Sequence, residues 1–187
     1  YADHLRRRGW IVDLAAAETA SLPELSAHFD HIIEMRWRRR IRPLSRLVKA
    51  GRQIRRVLRS GDYNVVHVHT PIAAFVTRLA CAGLAPGGRP KLVYTAHGFH
   101  FHRNGNWVRN LFFRRLEKIS GHWTDALIVI NREDEVEARR RHLVGRSPIV
   151  YMPGIGIESR LYARTRVSAE QIAAFRESLG VRGEVPL

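Results

Sequence analysis

YNVVHVHTPIAAFVTRLACAG, residues 63–83, decides the fold. Val65, Val66 and Val68 suit an extended, pleated backbone, so 63–69 reads as a strand. Thr70 and Pro71 then open a helix over 72–83, since proline is pre-set for a first helical position and threonine can cap. A strand running straight into a helix, with His67 and His69 on one strand face and His69 at the joint, is half of a βαβ unit. KLVYTAHGFHFH, residues 91–102, repeats the design. A strand over 91–97 ends at His97, and Gly98 lets the backbone turn or approach a ligand closely.

The same alternation extends in both directions. WIVDLAA (10–16) and HFDHIIEM (28–35) read as strands, the second weaker. Pro43 opens a helix through Ser60, with Leu44, Leu47, Val48, Ile54 and Leu58 at helical spacing. A helix is expected near 106–121, a strand over 125–131, and a helix at EDEVEARRRHL whose acids come first and arginines last, as the helix dipole favours. PIVYMPGIGIE (148–158) reads as a strand entering a loop. Ser168, Gln171 and Gly180 mark a capping box and a C-terminal stop for a helix over 168–180. The order predicts a parallel sheet with helices on both faces, whose ligands sit at the carboxyl ends of the strands. Both histidine clusters fall at such ends.

Composition narrows the partners. The 187 residues hold 32 Lys+Arg against 17 Asp+Glu, net +15, which suits nucleic acid, anionic lipid or a phosphorylated substrate. One cysteine, Cys81, leaves no internal disulfide and fits a reducing compartment. No apolar run is long enough to span a bilayer. Between Met35 and Ser60 there is no acid, and eleven bases: Arg36, Arg38, Arg39, Arg40, Arg42, Arg46, Lys49, Arg52, Arg55, Arg56 and Arg59. A cationic amphipathic helix with Trp37 upstream suits an anionic membrane surface; a solvated arginine-rich helix explains the same residues. No nucleic-acid-binding module accompanies the charge, so nucleic acid is not the expected partner.

The candidate chemistry sits at the strand ends. An imidazole at 97 can hydrogen-bond a sugar hydroxyl or phosphate, or act as a general base near neutral pH. His100 and His102 would share one face if extended, and with His69 could make a three-histidine metal site. No orienting carboxylate lies nearby in sequence, and no metal is expected. Asn131 ends another strand and is a candidate either for ligand contact or for capping the helix that follows. Gly154 and Gly156 allow close approach of a ligand or an ordinary turn. Neither GxSxG nor GxGxxG occurs, which disfavours a hydrolase or a dinucleotide enzyme.

VVHVHTPIAAFVTRLA, KLVYTAHGFHFH, TDALIVINRED and YMPGIGIE together resemble the N-terminal domain of family 4 glycosyltransferases, in the bacterial exopolysaccharide and capsule branch. The resemblance runs from about residue 3 to 187. It implies the N-terminal half of a GT-B fold, truncated at both ends: 1–163 as the acceptor-side Rossmann-like domain without its first strand, 164–187 as interdomain linker and start of the second domain. It implies a retaining hexosyltransferase that needs no cofactor or metal. The enzyme would move sugar from a nucleotide sugar to a polyprenyl-diphosphate-linked acceptor at the cytoplasmic face of the membrane. His97 matches the family histidine facing the reacting sugar. His69, Thr70, Pro71, Gly98, His100, Asn131 and Gly156 are the expected substrate contacts. Arg38, Arg39, Arg40, Arg46, Lys49, Arg52 and Arg56 are expected to hold diphosphate and lipid headgroups. The family's paired glutamates are not matched by Glu170 and Glu177, which are wrongly spaced and placed. A basic anionic-surface or nucleic-acid-binding α/β module without catalysis is the competing reading.

Overall fold

The computed structural model describes residues 1–35, 44–84, 88–101, 105–154 and 156–181. The chain divides into two compact units, Tyr1–Met152 and a second beginning at Pro153.

In the first unit every strand pair is parallel, in two sheets rather than one. β1 (Leu14–Ala16) pairs with β2 (Ile32–Glu34). β3 (Val65–Val68), β4 (Lys91–Ala96), β5 (Ala126–Val129) and β6 (Ile149–Tyr151) form the main sheet in sequence order. A short helix α1 (Ala2–Arg6) begins the chain. α2 (Leu44–Ser60), α3 (Pro71–Ala82), α4 (Trp107–Ser120) and α5 (Arg132–Arg140) flank the strands. The expected elements are thus present, with the first strand much shorter than 10–16. The Val12 N–H is taken by the Asp30 carboxylate at 2.7 Å, so the ladder begins only at Leu14.

The two sheets share no ladder and are joined through side chains. The Tyr63 hydroxyl donates to Asp13 at 2.8 Å, and the Tyr1 hydroxyl meets His67 Nδ1 at 3.1 Å. α2 is tied to β2 by the Gln53 amide, which donates to the Glu34 carbonyl at 2.8 Å.

Alternation builds the core. Leu92, Tyr94 and Ala96 are buried on one face of β4, and the register sets Tyr94 beside Leu127 and Ala96 beside Val129. α3 supplies Ala74 and Cys81, both fully buried. It also supplies an arginine: Arg78 is 1% exposed, its guanidinium 4.6 Å from the Tyr94 ring centre and 2.9 Å from a Glu117 oxygen on α4. A charge so deep is tolerated because the half-buried Glu117 carboxylate pairs with it and its Nε donates to the Ala74 carbonyl at 3.1 Å. Gly121 closes α4 where any side chain would strike the Leu143 carbonyl, 1.7 Å from an added Cβ.

In the second unit α6 (Ala169–Ser178) carries the expected capping box: Ser168 accepts from the Gln171 N–H at 3.2 Å and its own N–H donates to Gln171 at 2.9 Å.

Removing one member of the buried pair strands the other. Arg78→Ala is expected to lower unfolding free energy in urea by about 3–5 kcal/mol, and Arg78→Met with Glu117→Leu to recover most of it.

Candidate active site

Parallel register places the imidazoles. His67 pairs with Val93 and Val68 with Tyr94, so His69 runs beside Thr95 and His97 lies two residues further on. Because strand side chains alternate, 67, 69, 95 and 97 all project from the same face. The rings form a line: Tyr1 to His67, 5.6 Å between centres; His67 to His69, 4.2 Å; His69 to His97, 5.6 Å.

The members of this line differ in kind. Both ring nitrogens of His67 are engaged, Nε2 with the Thr95 hydroxyl at 2.8 Å and Nδ1 with Tyr1. Burial, with help from His69 and His97, pushes its pKa down to about 4, so it is neutral near pH 7. It is a packed sheet histidine, as its place inside the strand suggests. His69 and His97 are exposed, with His69 Nδ1 and His97 Nε2 3.3 Å apart. One must carry the proton that the other accepts. Burial and the neighbouring His97 lower the pKa of His69. The pair is therefore a donor–acceptor couple whose two rings are both exposed.

Around this pair the predicted residues divide. Thr70 stands at the N-cap of α3 with Pro71 first in the helix, but its side chain makes no capping bond. Gly98 has φ +123°, a conformation that excludes ordinary side chains. His100 turns toward α4, its ring edge-on to Phe113 at 5.1 Å. Phe99, His100, Arg109 and Phe113 line an open groove of about 310 Å³. Asn131 is engaged at the start of α5: its oxygen accepts from the Asp134 N–H at 2.7 Å and its amide donates to Asp134 Oδ2 at 2.8 Å.

Gly156, φ +72°, belongs to the second unit. Arg46, Lys49, Arg52 and Arg56 are exposed along α2, where Ala50 and Leu58 are buried and Val48 is exposed despite its place in the apolar pattern. Arg38, Arg39, Arg40 and His102 lie outside the described residues. Among the described residues no cluster of three His, Cys, Asp or Glu could hold a metal ion.

The residue that sequence reading missed is Asp134. Its buried carboxylate accepts from the Phe99 N–H at 3.3 Å as well as from Asn131, so it clamps the Gly98 turn to the start of α5. Desolvation raises its pKa, offset by those two donors. The N-x-x-D spacing at 131–134 signals only a helix start.

Paired imidazoles at the carboxyl ends of adjacent parallel strands stand where sheets of this kind bind their ligands. Two solved chains of sucrose-phosphate synthase from Thermosynechococcus elongatus share this fold. One matches with a TM-score of 0.67 at 18% identity, over 99% of this chain and 46% of that one. The other matches with a TM-score of 0.61 at 18% identity, over 95% and 91%. The description Glycosyltransferase Family 4 matches residues 1–154, and the chain belongs to that family. It is 32% identical over 183 residues to EpsD of Bacillus subtilis (strain 168), a protein named as a glycosyltransferase. The match covers 97% of this chain and 45% of EpsD, so the chain spans less than half the length of that relative.

His67 supplies a test of the site's electrostatics. Its neutral form is favoured by folding, so its contribution is fully present above pH 6.5 and is lost as pH falls toward 4. Replacing it with glutamine is expected to flatten the stability–pH curve over that window by on the order of 2 kcal/mol, read from urea melts at each pH. An unchanged slope would show that His67 titrates normally.

Proposed function

We propose that the chain is the acceptor-side half of a retaining glycosyltransferase. It would move a hexosyl group from a nucleotide sugar to a polyprenyl-diphosphate-linked acceptor in exopolysaccharide or capsule synthesis, working peripherally at the inner membrane face. The observation that carries this reading is the exposed His69–His97 pair at adjacent strand ends. An imidazole held by a second imidazole presents its free ring edge to a sugar hydroxyl or a phosphate oxygen, and can pass a proton to it or take one from it. Gly98 leaves the backbone beside His97 open: an added Cβ there would meet nothing within 4 Å. His69, Thr70, Pro71, Gly98 and His100 would line the acceptor side of the reaction centre. The first turn of α3 would offer its free N–H groups to an anionic portion of the substrate.

Asn131 acts in this scheme mainly through Asp134, which holds the loop bearing His97. Gly156, in the PGIGIE segment that resembles the family's, is a further proposed substrate contact. Arg46, Lys49, Arg52 and Arg56, with the basic residues 38–40, would gather diphosphate and anionic headgroups. No cofactor or metal has a part in this scheme. The net charge of +15 keeps a second reading in play, a noncatalytic anionic-surface module.

In the full-length enzyme, His97→Ala is expected to lower turnover at least about a hundredfold while shifting unfolding free energy by under about 1 kcal/mol. Near wild-type rates would refute the assignment. Residues 1–187 alone are expected to show no sugar transfer in a radiolabelled nucleotide-sugar assay, and measurable turnover would show that the second half is dispensable.

A further inference from the structure

α4 carries a surface that the transfer scheme does not use. Trp107, Val108, Leu111, Phe112 and Ile119 are all between 41% and 74% exposed. At 100° per residue they fall, with Arg115 and Lys118, within an arc of roughly 140° on one side of the helix. The opposite side is spent on the fold: Asn110 and Ser120 are buried, Phe113 packs on the core, and Glu117 reaches Arg78. The outward stripe is therefore no fraying of a core helix but a second apolar face, and in a soluble surface such continuity marks an interaction site.

Charge selects the partner. Glu117 is the only acid in α4 and it points inward, so the charges within the outward arc, Arg115 and Lys118, are both positive, with Arg109 exposed beyond the edge of the arc. Arg115 and Lys118 lie among the apolar side chains, where long stems can reach past hydrocarbon to place their cations at phosphates. A tryptophan at the helix start suits the boundary between headgroup and acyl chain. A protein partner for so cationic a face would need matching acids, whereas an anionic bilayer supplies both hydrocarbon and negative charge.

We propose that the outward face of α4 inserts into the headgroup–acyl boundary of an anionic bilayer. This deepens the lipid-linked acceptor reading and rests on it for the choice of a bilayer. Arg109 belongs both to α4 and to the groove that it lines with Phe113 of α4 and with Phe99 and His100 of the loop that leaves His97. Insertion of α4 sets that groove at headgroup depth, where the diphosphate of a membrane-held acceptor lies.

The test uses the intact full-length protein with vesicles of phosphatidylcholine alone or mixed with phosphatidylglycerol. Wild type is expected to sediment with the mixed vesicles, and its tryptophan fluorescence to be quenched by bromine placed on the lipid acyl chains. Trp107→Leu is expected to keep binding and lose most of that quenching. Trp107→Ser with Phe112→Ser is expected to weaken binding at least about tenfold with an unchanged circular dichroism spectrum, since both side chains are exposed. Arg46→Ala with Arg52→Ala and Arg56→Ala on α2 is the control: it weakens binding in a salt-dependent way and leaves the quenching of bound protein intact. If wild type binds but the double serine variant binds equally, or if Trp107 is not quenched, the α4 assignment is overturned while the membrane reading stands. If the double variant changes only the oligomeric state, the face belongs to a second copy and the assignment is overturned. If wild type ignores both vesicle types, the assignment and the membrane reading fall together.

Discussion

The parallel pairing of β3 with β4 is the constraint on which the site depends. His67 lies beside Val93, and that single register sets His69, Thr95 and His97 on one face of the sheet. A slip by one residue would turn His97 to the opposite face and bury polar imidazole where Tyr94 now packs. The register is strongly specified because Leu92, Tyr94 and Ala96 on that opposite face are fully buried. The hydrophobic core thus fixes the candidate site from behind: the imidazole face is held in place by residues packed on the opposite face of the sheet.

The loops complete what the ladder begins. Gly98 allows a turn immediately after His97, and Asp134 ties that turn to the next βα unit through the Phe99 N–H. Three consecutive strand ends, at His69, His97 and Asn131, are therefore coupled mechanically: the first two through the imidazole pair, the last two through Asp134. Burying that carboxylate costs desolvation, seen in its raised pKa, and its hydrogen bonds offset the cost. The deep Arg78–Glu117 pair performs the same kind of work between α3 and α4.

Two helices face outward with different chemistries. α2 shows a basic side that was evident in its acid-free sequence. α4 shows an apolar side that was not. Its sequence, WVRNLFFRRLEKIS, spreads apolar residues over roughly 240° of the helix, too wide an arc for periodicity alone to say which are core and which surface. Only the placement of Asn110, Glu117 and Ser120 against the protein identifies Trp107, Leu111 and Phe112 as the outer stripe. Asn110, Glu117 and Ser120 point inward here, while Arg115 and Lys118 stand outside among the apolar side chains, so polarity does not separate the two faces.

By itself the sequence determined the order and type of the elements, the parallel architecture and the position of His69 and His97 at strand ends. β-branched runs, Pro71 at a helix start and the Ser168–Gln171 capping box are local signals that act within a few residues. The tertiary structure alone decided what depends on contacts between distant segments. It split the strands into two sheets bridged by Tyr63 and Asp13, gave Asp134 its hold on the His97 loop, and engaged both nitrogens of His67 while leaving His69 and His97 open. Those outcomes turn on register, burial and the meeting of residues dozens of positions apart, and local propensity carries no information about such meetings.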